Sequence, residues 1–305
     1  MKILVLEEFA ERYPSYLKHL QHEVTYATSI QQTGRHYDVL LAQPDLAAEY
    51  LRDGGQVRWI QSTWAGVRPL AESTISANTL VTGVKEIFGG QIAEYVFTYL
   101  LDEIRTPGRY RAAQSNRQWQ QIPPETLLSR RMVIVGTGSI GRRLASVART
   151  FGLHVTGVSR SGNHHPEFDD VVKTALLQNV LQNADYIILV LPDTPETKHL
   201  FSAETFAAMD KHPLLINAGR GSTIDHDALI SALRDQRIRA AVLDVFEEEP
   251  LPANHALWTE PNVTITPHIA AVSFPADIAR LFLSNLEKFR HSQPLDFVID
   301  LSRGY

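Results

Sequence analysis

Residues 132–141 most constrain what this chain can fold into. Met132-Val133-Ile134-Val135 is an apolar β-type run, and Gly136, Gly138 and Gly141 follow at the spacing Gly-x-Gly-x-x-Gly. The first glycine permits a tight turn out of a strand, the second lets backbone approach a pyrophosphate, and the third lets a helix pack closely on the strand. Unpaired N–H groups and the dipole at the helix start then favour phosphate. A glycine triplet alone is weak evidence, but here a strand precedes it and a helical pattern follows, which is the context the motif needs. Gly136, Thr137, Gly138, Ser139, Ile140 and Gly141 are therefore cofactor-binding candidates. On the helix beyond them, Ile140, Leu144, Val147, Ala148 and Phe151 should form one apolar face.

The rest of the chain repeats the same rhythm. Ile3–Leu6, Val39–Ala42, Arg58–Gln61 and Leu80–Thr82 read as strands, with room for helices in Ala10–His22 and Asp45–Asp53. A long helix is expected over Gln91–Ile104, stopped by Thr106-Pro107-Gly108. After a polar stretch to Arg131 come strands at Met132–Val135, Val155–Val158, Tyr186–Val190, Leu214–Ile216, Ala240–Leu243 and Val263–Thr266, and a final helix at Pro275–Arg290. Strands alternating with helices imply parallel α/β sheets. The length of 305 residues accommodates two domains. A formal charge of −5 argues against a general nucleic-acid binder. With no cysteine, thiolate nucleophiles, disulfides and Cys-ligated zinc are excluded. No window reaches the apolar length of a membrane span, and a cytoplasmic location is the default expectation. His164 and His165 lack a ligand set around them, so no metal is expected.

The cofactor type should be legible at the end of the second strand of this series. A site for NAD normally places an acid there for the ribose 2′-hydroxyl. Here Val155–Val158 runs into Ser159-Arg160-Ser161, without a carboxylate. Hydroxyls and a guanidinium suit a 2′-phosphate, so NADP(H) is expected over NAD(H).

In open α/β sheets, ligands bind outside the carboxyl ends of the strands. Three such ends carry suggestive groups: Arg220 after Leu214–Ile216, Asp244 to Pro250 after Ala240–Leu243, and His268 after Val263–Thr266. A cation, a carboxylate and an imidazole are the set that reduction of a 2-oxo acid requires. The cation holds the carboxylate and carbonyl, the imidazole gives a proton, and the acid keeps that donor protonated.

With these motifs in order, the chain resembles the D-isomer-specific 2-hydroxyacid dehydrogenases. The resemblance rests on Gly136–Gly141, Leu191-Pro192-Asp193-Thr194 with Thr197, Asn217–Gly221, Asp244–Pro250 and Thr266-Pro267-His268. Within the family it looks most like the glyoxylate/hydroxypyruvate reductase A branch. The resemblance implies an α/β fold of two parallel-sheet domains, Rossmann-like and flavodoxin-like, with an interdomain active-site cleft. The substrate domain would be discontinuous, residues 1–98 and 277–305, and the dinucleotide-binding Rossmann domain 99–276, with hinges in Gln91–Ile104 and near Ser273–Asp277.

The same resemblance implies an oxidoreductase moving a hydride between NADP(H) and a small 2-oxo or 2-hydroxy acid, as a homodimer. Arg220 would bind the substrate carboxylate, His268 would be the general acid/base and Glu249 its carboxylate partner. Leu191, Pro192, Thr197, Ala218, Asp244 and His268 would lie along the cofactor, Asp244 near the nicotinamide carboxamide. Trp64, Ala65, Gly66 and Val67 would offer backbone N–H groups to the substrate. The sequence departs from the family at Arg68, where an aspartate is common, and this leaves the identity of the acid open. Two alternatives stand beside this reading: a non-enzymatic dinucleotide-binding redox sensor or corepressor on the same fold, and a family dehydrogenase for a different acid.

Overall fold

The computed structural model describes residues 1–76 and 78–301. The chain forms two compact units, Met1–Ile87 with Ser273–Tyr305, and Phe88–Val272; residues 302–305 of the expected C-terminal segment lie outside the described residues. Both units are built on wholly parallel sheets, as the rhythm of the sequence requires.

In the first unit the strands are β1 (Lys2–Leu6), β2 (Glu23–Ala27), β3 (Val39–Ala42), β4 (Trp59–Ser62) and β5 (Leu80–Thr82). Their order is β2-β1-β3-β4-β5, the flavodoxin-like winding. The strands β1, β3 and β4 are almost wholly buried, because helices cover both faces of a parallel sheet.

The C-terminal segment completes this unit. Phe282, on the helix Pro275–Arg290, stacks on the buried Trp59 at 5.4 Å. Asn285 is fully buried; its Nδ2 donates to Gln61 Oε1 at 3.2 Å and to Asp296 O at 3.1 Å. Beyond that helix, Ile299 donates to Val81 O at 2.9 Å and Gly83 donates to Phe297 O at 2.9 Å. This short antiparallel pairing covers the edge of β5, which would otherwise present unpaired backbone groups.

In the second unit the strands are β6 (Arg131–Val135), β7 (His154–Ser159), β8 (Asp170–Lys173), β9 (Tyr186–Leu189), β10 (Leu214–Asn217), β11 (Ala240–Leu243) and β12 (Val263–Ile265). Their order, β12-β11-β10-β9-β6-β7-β8, is the Rossmann winding with one further strand, and it reverses between β6 and β9.

Four expectations need correction. The strands β2 and β8 had no place in the sequence reading. Both are sheet edges with half-exposed residues, so their apolar signal is thin. The polar stretch before Arg131 contains a helix, Pro107–Ser115, started by the proline that also ends the helix before it. On the helix Ser139–Thr150 the buried face holds Leu144 and Ala148 as expected. It centres on Gly141 and Ala145, however, and Phe151 stays 40% exposed while stacking on Phe97 at 4.7 Å. Small residues prevail there because the helix Gly89–Arg105 packs tightly against this face. That packing also places the unit border before residue 88, whereas the sequence reading put it at 98, inside the helix. Among the described residues, no helix is long and apolar enough to cross a membrane.

Candidate active site

The groups singled out in the second unit stand on turns that leave the carboxyl ends of adjacent parallel strands. After β10, Asn217 shapes its own turn: its Oδ1 accepts from the Gly219 N–H at 3.1 Å and its Nδ2 donates to Arg220 O at 3.0 Å. The turn ends at Gly221, packed on the loop after β11. A Cβ at Gly221 would fall 1.9 Å from the Phe246 carbonyl carbon. Only a residue without a side chain allows the Arg220 turn and the loop carrying Glu249 to touch.

Arg220 Nη1 donates to Gly219 O at 2.7 Å. Burial pulls its pKa down, while Asp193 and Glu249 act in the opposite direction. Among the described residues no carboxylate reaches ion-pair distance of Arg220, so most of its donor fork is available. Ser222 Oγ donates to Asp193 Oδ1 at 2.6 Å, tying the Arg220 turn to the loop after β9.

Glu249 is held at both oxygens. The Phe246 N–H donates to Oε1 at 2.8 Å, and Oε2 lies 2.7 Å from His268 Nδ1. Burial opposes ionisation of Glu249, but the hydrogen bonds from His268 and Phe246 and the charges of His268 and Arg220 outweigh it, and its pKa is lowered. His268 is raised above the usual 6.5, chiefly by the bond to Glu249; burial and Arg220 oppose the shift, and the charges of Glu249 and Asp244 favour it. With Nδ1 engaged by the carboxylate, Nε2 is the nitrogen left to exchange a proton. The His268 side chain is 51% exposed.

Asp244, only 1% exposed, holds the turn that carries this histidine. Its Oδ1 accepts from Thr266 Oγ1 at 2.5 Å and from the Ile269 N–H at 2.8 Å, its Oδ2 from the Ala270 N–H at 2.8 Å, and its backbone oxygen from the His268 N–H at 2.8 Å. These bonds keep His268 at φ +54°, a left-handed conformation that non-glycine residues seldom adopt. Tyr95 extends the chain of contacts, its hydroxyl lying 2.7 Å from Thr266 Oγ1. Thr266 stands in the motif read before His268, but Tyr95 escapes sequence reasoning, because nothing local links residue 95 to residue 266.

The dinucleotide motif fits its expected ligand. A Cβ at Gly141 would fall 1.9 Å from Gly136 O, so strand and helix touch there; a Cβ at Gly138 would meet nothing within 4 Å, leaving its outer side open. The helix beginning at Ser139 has no side-chain cap, so its first N–H groups remain available to phosphate. Thr137 is buried, while Ser139 and Ile140 are partly exposed at the helix start.

Ser159 ends β7. The Gly162 N–H donates to Ser159 Oγ at 3.1 Å and the Asn163 N–H to Ser161 Oγ at 3.3 Å, which closes the turn around an exposed Arg160. In the loop after β9, Thr197 Oγ1 donates to Pro192 O at 2.7 Å. Thr197 thus shapes the segment of Leu191 and Pro192. Ala218 is partly exposed, its N–H bonded to Leu189 O at 3.1 Å.

Trp64, Ala65, Gly66 and Val67 belong to the first unit, at the carboxyl end of β4. Trp64 is 44% exposed and Val67 is buried. Arg68 opens the short helix Arg68–Ala71 and pairs through Nε with Glu72 Oε1 at 2.7 Å.

Comparison with known proteins finds relatives in sequence and in structure. Residues 97–270 match the family model described as D-isomer specific 2-hydroxyacid dehydrogenase, NAD binding domain. A glyoxylate/hydroxypyruvate reductase A of Serratia proteamaculans is 30% identical over 264 residues, 84% of each chain. A crystal structure of a D-isomer specific 2-hydroxyacid dehydrogenase family protein from Aeromonas salmonicida superposes with a TM-score of 0.93 at 40% identity, covering 98% of this chain and 99% of that one. An NADPH-dependent glyoxylate/hydroxypyruvate reductase from Sinorhizobium meliloti, solved with NADP and sulfate, gives 0.87 at 25% identity, covering 100% and 99%.

Proposed function

Because the chain belongs to the D-isomer specific 2-hydroxyacid dehydrogenase family, we propose that it interconverts a small 2-oxo acid, of the glyoxylate or hydroxypyruvate kind, and the corresponding D-2-hydroxy acid with NADP(H). The observation that carries this reading is the His268–Glu249 pair at 2.7 Å with the Arg220 guanidinium close enough to act on both. Preference for NADP(H) is supported by the acid-free turn Ser159–Ser161 and by the NADP bound in the Sinorhizobium structure.

NADP(H), when bound, supplies the hydride chemistry at the carbonyl carbon. The helix start behind Gly136, Gly138 and Gly141 would hold its pyrophosphate, and Arg160 its 2′-phosphate. Asp244 Oδ2 receives one N–H and can accept a second donor, which suits a place near the carboxamide. Arg220 offers a planar fork of donors to the substrate carboxylate and draws electron density from the carbonyl. The backbone of Ala65–Val67 has the complementary part that the resemblance gives it, whereas the Trp64 N–H, expected in the same set, is bonded to Ser62 Oγ at 3.2 Å. His268, as imidazolium, delivers its Nε2 proton to the carbonyl oxygen as the carbon is reduced, and the neutral imidazole takes that proton back in the reverse direction. Glu249 fixes the ring and stabilises its charged form. General acid catalysis of this kind contributes ~10²–10⁴-fold.

The test is a steady-state panel of glyoxylate, hydroxypyruvate, pyruvate and phenylpyruvate with NADPH and with NADH, on the wild-type chain and on His268→Ala. Turnover should fall by ~10²–10⁴-fold in the variant while NADPH binding persists. Native-rate reduction by His268→Ala would remove the role, and a wild-type chain that binds NADPH but reduces none of the acids would favour the sensor alternative. A homodimer belongs to the same reading; Trp119, 95% exposed, supports an interface near the segment 107–124. Light scattering should give twice the 34.2 kDa chain mass.

A further inference from the structure

The first unit carries a buried carboxyl group to which the reaction above gives no work. Glu7 directly follows β1, is 7% exposed, and stands where the strand order reverses between β1 and β3. Its N–H donates to Ala27 O at 3.1 Å and its carbonyl accepts from the Ala10 N–H at 3.2 Å, so its backbone is anchored on both sides. The Thr63 hydroxyl donates to Glu7 Oε1 across 56 residues of sequence. Thr63 is itself fully buried, with its N–H bonded to Ala42 O at 3.0 Å.

From Thr63 the chain enters the exposed part of the turn that the reading above gives to the substrate. Ser62 Oγ accepts from the Trp64 N–H at 3.2 Å and donates to Trp64 O at 2.7 Å. At the far end the buried Val67 accepts from the N–H groups of Leu70 and Ala71, both at 3.0 Å. The turn therefore hangs between two fixed ends, and the Thr63–Glu7 bond is part of one of them.

We propose that Glu7 is a positioning residue: through Thr63 it holds the turn Trp64–Val67 in the shape whose backbone N–H groups at Ala65–Val67 receive the substrate carboxylate, the Trp64 N–H being taken by Ser62 Oγ. The proposal rests on the assignment of that turn to substrate. Backbone donors bind an anion well only when they are aligned beforehand, and an exposed turn has few other means of alignment. Burial raises the pKa of Glu7, the Thr63 bond opposes the shift, and the charge of Glu8 adds to it. Tyr13, also beside Glu7, is pushed above its usual range by its own burial and by Glu7. The anchored Glu7 oxygen is thus a fixed acceptor for the Thr63 hydroxyl at the start of the turn.

The experiment uses the whole chain as wild type and as Glu7→Gln, Glu7→Ala, Thr63→Val and the double variant Glu7→Ala/Thr63→Val. KM for glyoxylate should rise roughly tenfold in Glu7→Ala and in Thr63→Val, the loss expected for one buried hydrogen bond. At saturating glyoxylate kcat should hold, and so should the NADPH Kd read by fluorescence. Glu7→Gln keeps an acceptor at the same reach and should retain the wild-type KM. The double variant should be no worse than either single change, since both cut one contact.

An unchanged KM in Glu7→Ala and Thr63→Val overturns the proposal. So does a KM that rises together with the NADPH Kd, the mark of a general loss of structure. Should Glu7→Ala fail to fold, Thr63→Val against Glu7→Gln decides in the same terms. A wild-type chain inactive on all four acids refutes the reductase reading and this role with it, whereas wild-type turnover with unmoved KM values refutes the role of Glu7 alone.

Discussion

Gly221→Ala tests whether the contact between two loops sets the rate. The added Cβ would lie 1.9 Å from the Phe246 carbonyl carbon and 2.3 Å from its Cα and oxygen, while ordinary contact begins near 3.4 Å. The deficit, 3.4 minus 1.9, is about 1.5 Å, and it falls on backbone rather than on a flexible side chain. One loop must move, and each carries part of the site: Arg220 precedes Gly221, and Phe246 donates its N–H to Glu249. A misplacement of ~1 Å can cost ~10²-fold in rate, and overpacking a tight site costs about 1–3 kcal/mol of stability. The expected result is a kcat with glyoxylate lowered by ~10²-fold, an urea midpoint shifted down, and an NADPH Kd close to wild type, because the phosphate-binding turn lies elsewhere. The measurements are steady-state kinetics, urea unfolding and NADPH fluorescence titration. A folded Gly221→Ala chain with wild-type kcat would refute the argument that this contact aligns Arg220 with Glu249.

Two further expectations concern charge. His268 is raised above 6.5 chiefly by Glu249, so the imidazolium needed for reduction survives into the pH range above that value and is lost as pH rises through the raised pKa. In Glu249→Gln the fall in the kcat profile for reduction should begin at lower pH, and an unmoved profile would show that another group controls it. Replacement of Arg160 by glutamate should lower kcat/KM for NADPH by about 10–100-fold with little loss for NADH, since a charge-assisted phosphate contact is worth about 1.5–3 kcal/mol; equal losses for both cofactors would place Arg160 away from the 2′-phosphate.

What could be read from the sequence was whatever has a local signature. The turn 136–141 is flanked by its strand and its helix within ten positions, and β3, β5 and β11 announce themselves as short apolar runs bounded by polar residues. The strands β2 and β8 did not, because their residues are mostly half-exposed and mix polar with apolar side chains. Arg220, Glu249 and His268 were legible through motifs that follow strand ends. The work of Asp244 in gripping the His268 turn was not, since its partners Thr266, Ile269 and Ala270 lie 22 to 26 residues away and two of the bonds go to backbone. The Glu7–Thr63 bond is more remote still, and neither residue is unusual in its own neighbourhood.

The stitching of residues 297–299 along β5, and of Phe282 and Asn285 beneath β4, has a consequence for synthesis. A nascent chain that has emerged as far as residue 272 holds the whole of the second unit, which can close its core at once. The five strands of the first unit stay incomplete, with the Phe282 face of Trp59 uncovered and the β5 edge unpaired, until Pro275–Arg290 and residues 297–299 arrive. The second unit is therefore expected to close before the first during synthesis. Substitutions at Phe282, Asn285 or residues 297–299 should harm the strands β4 and β5, by prolonging the time those strands stand open to other proteins.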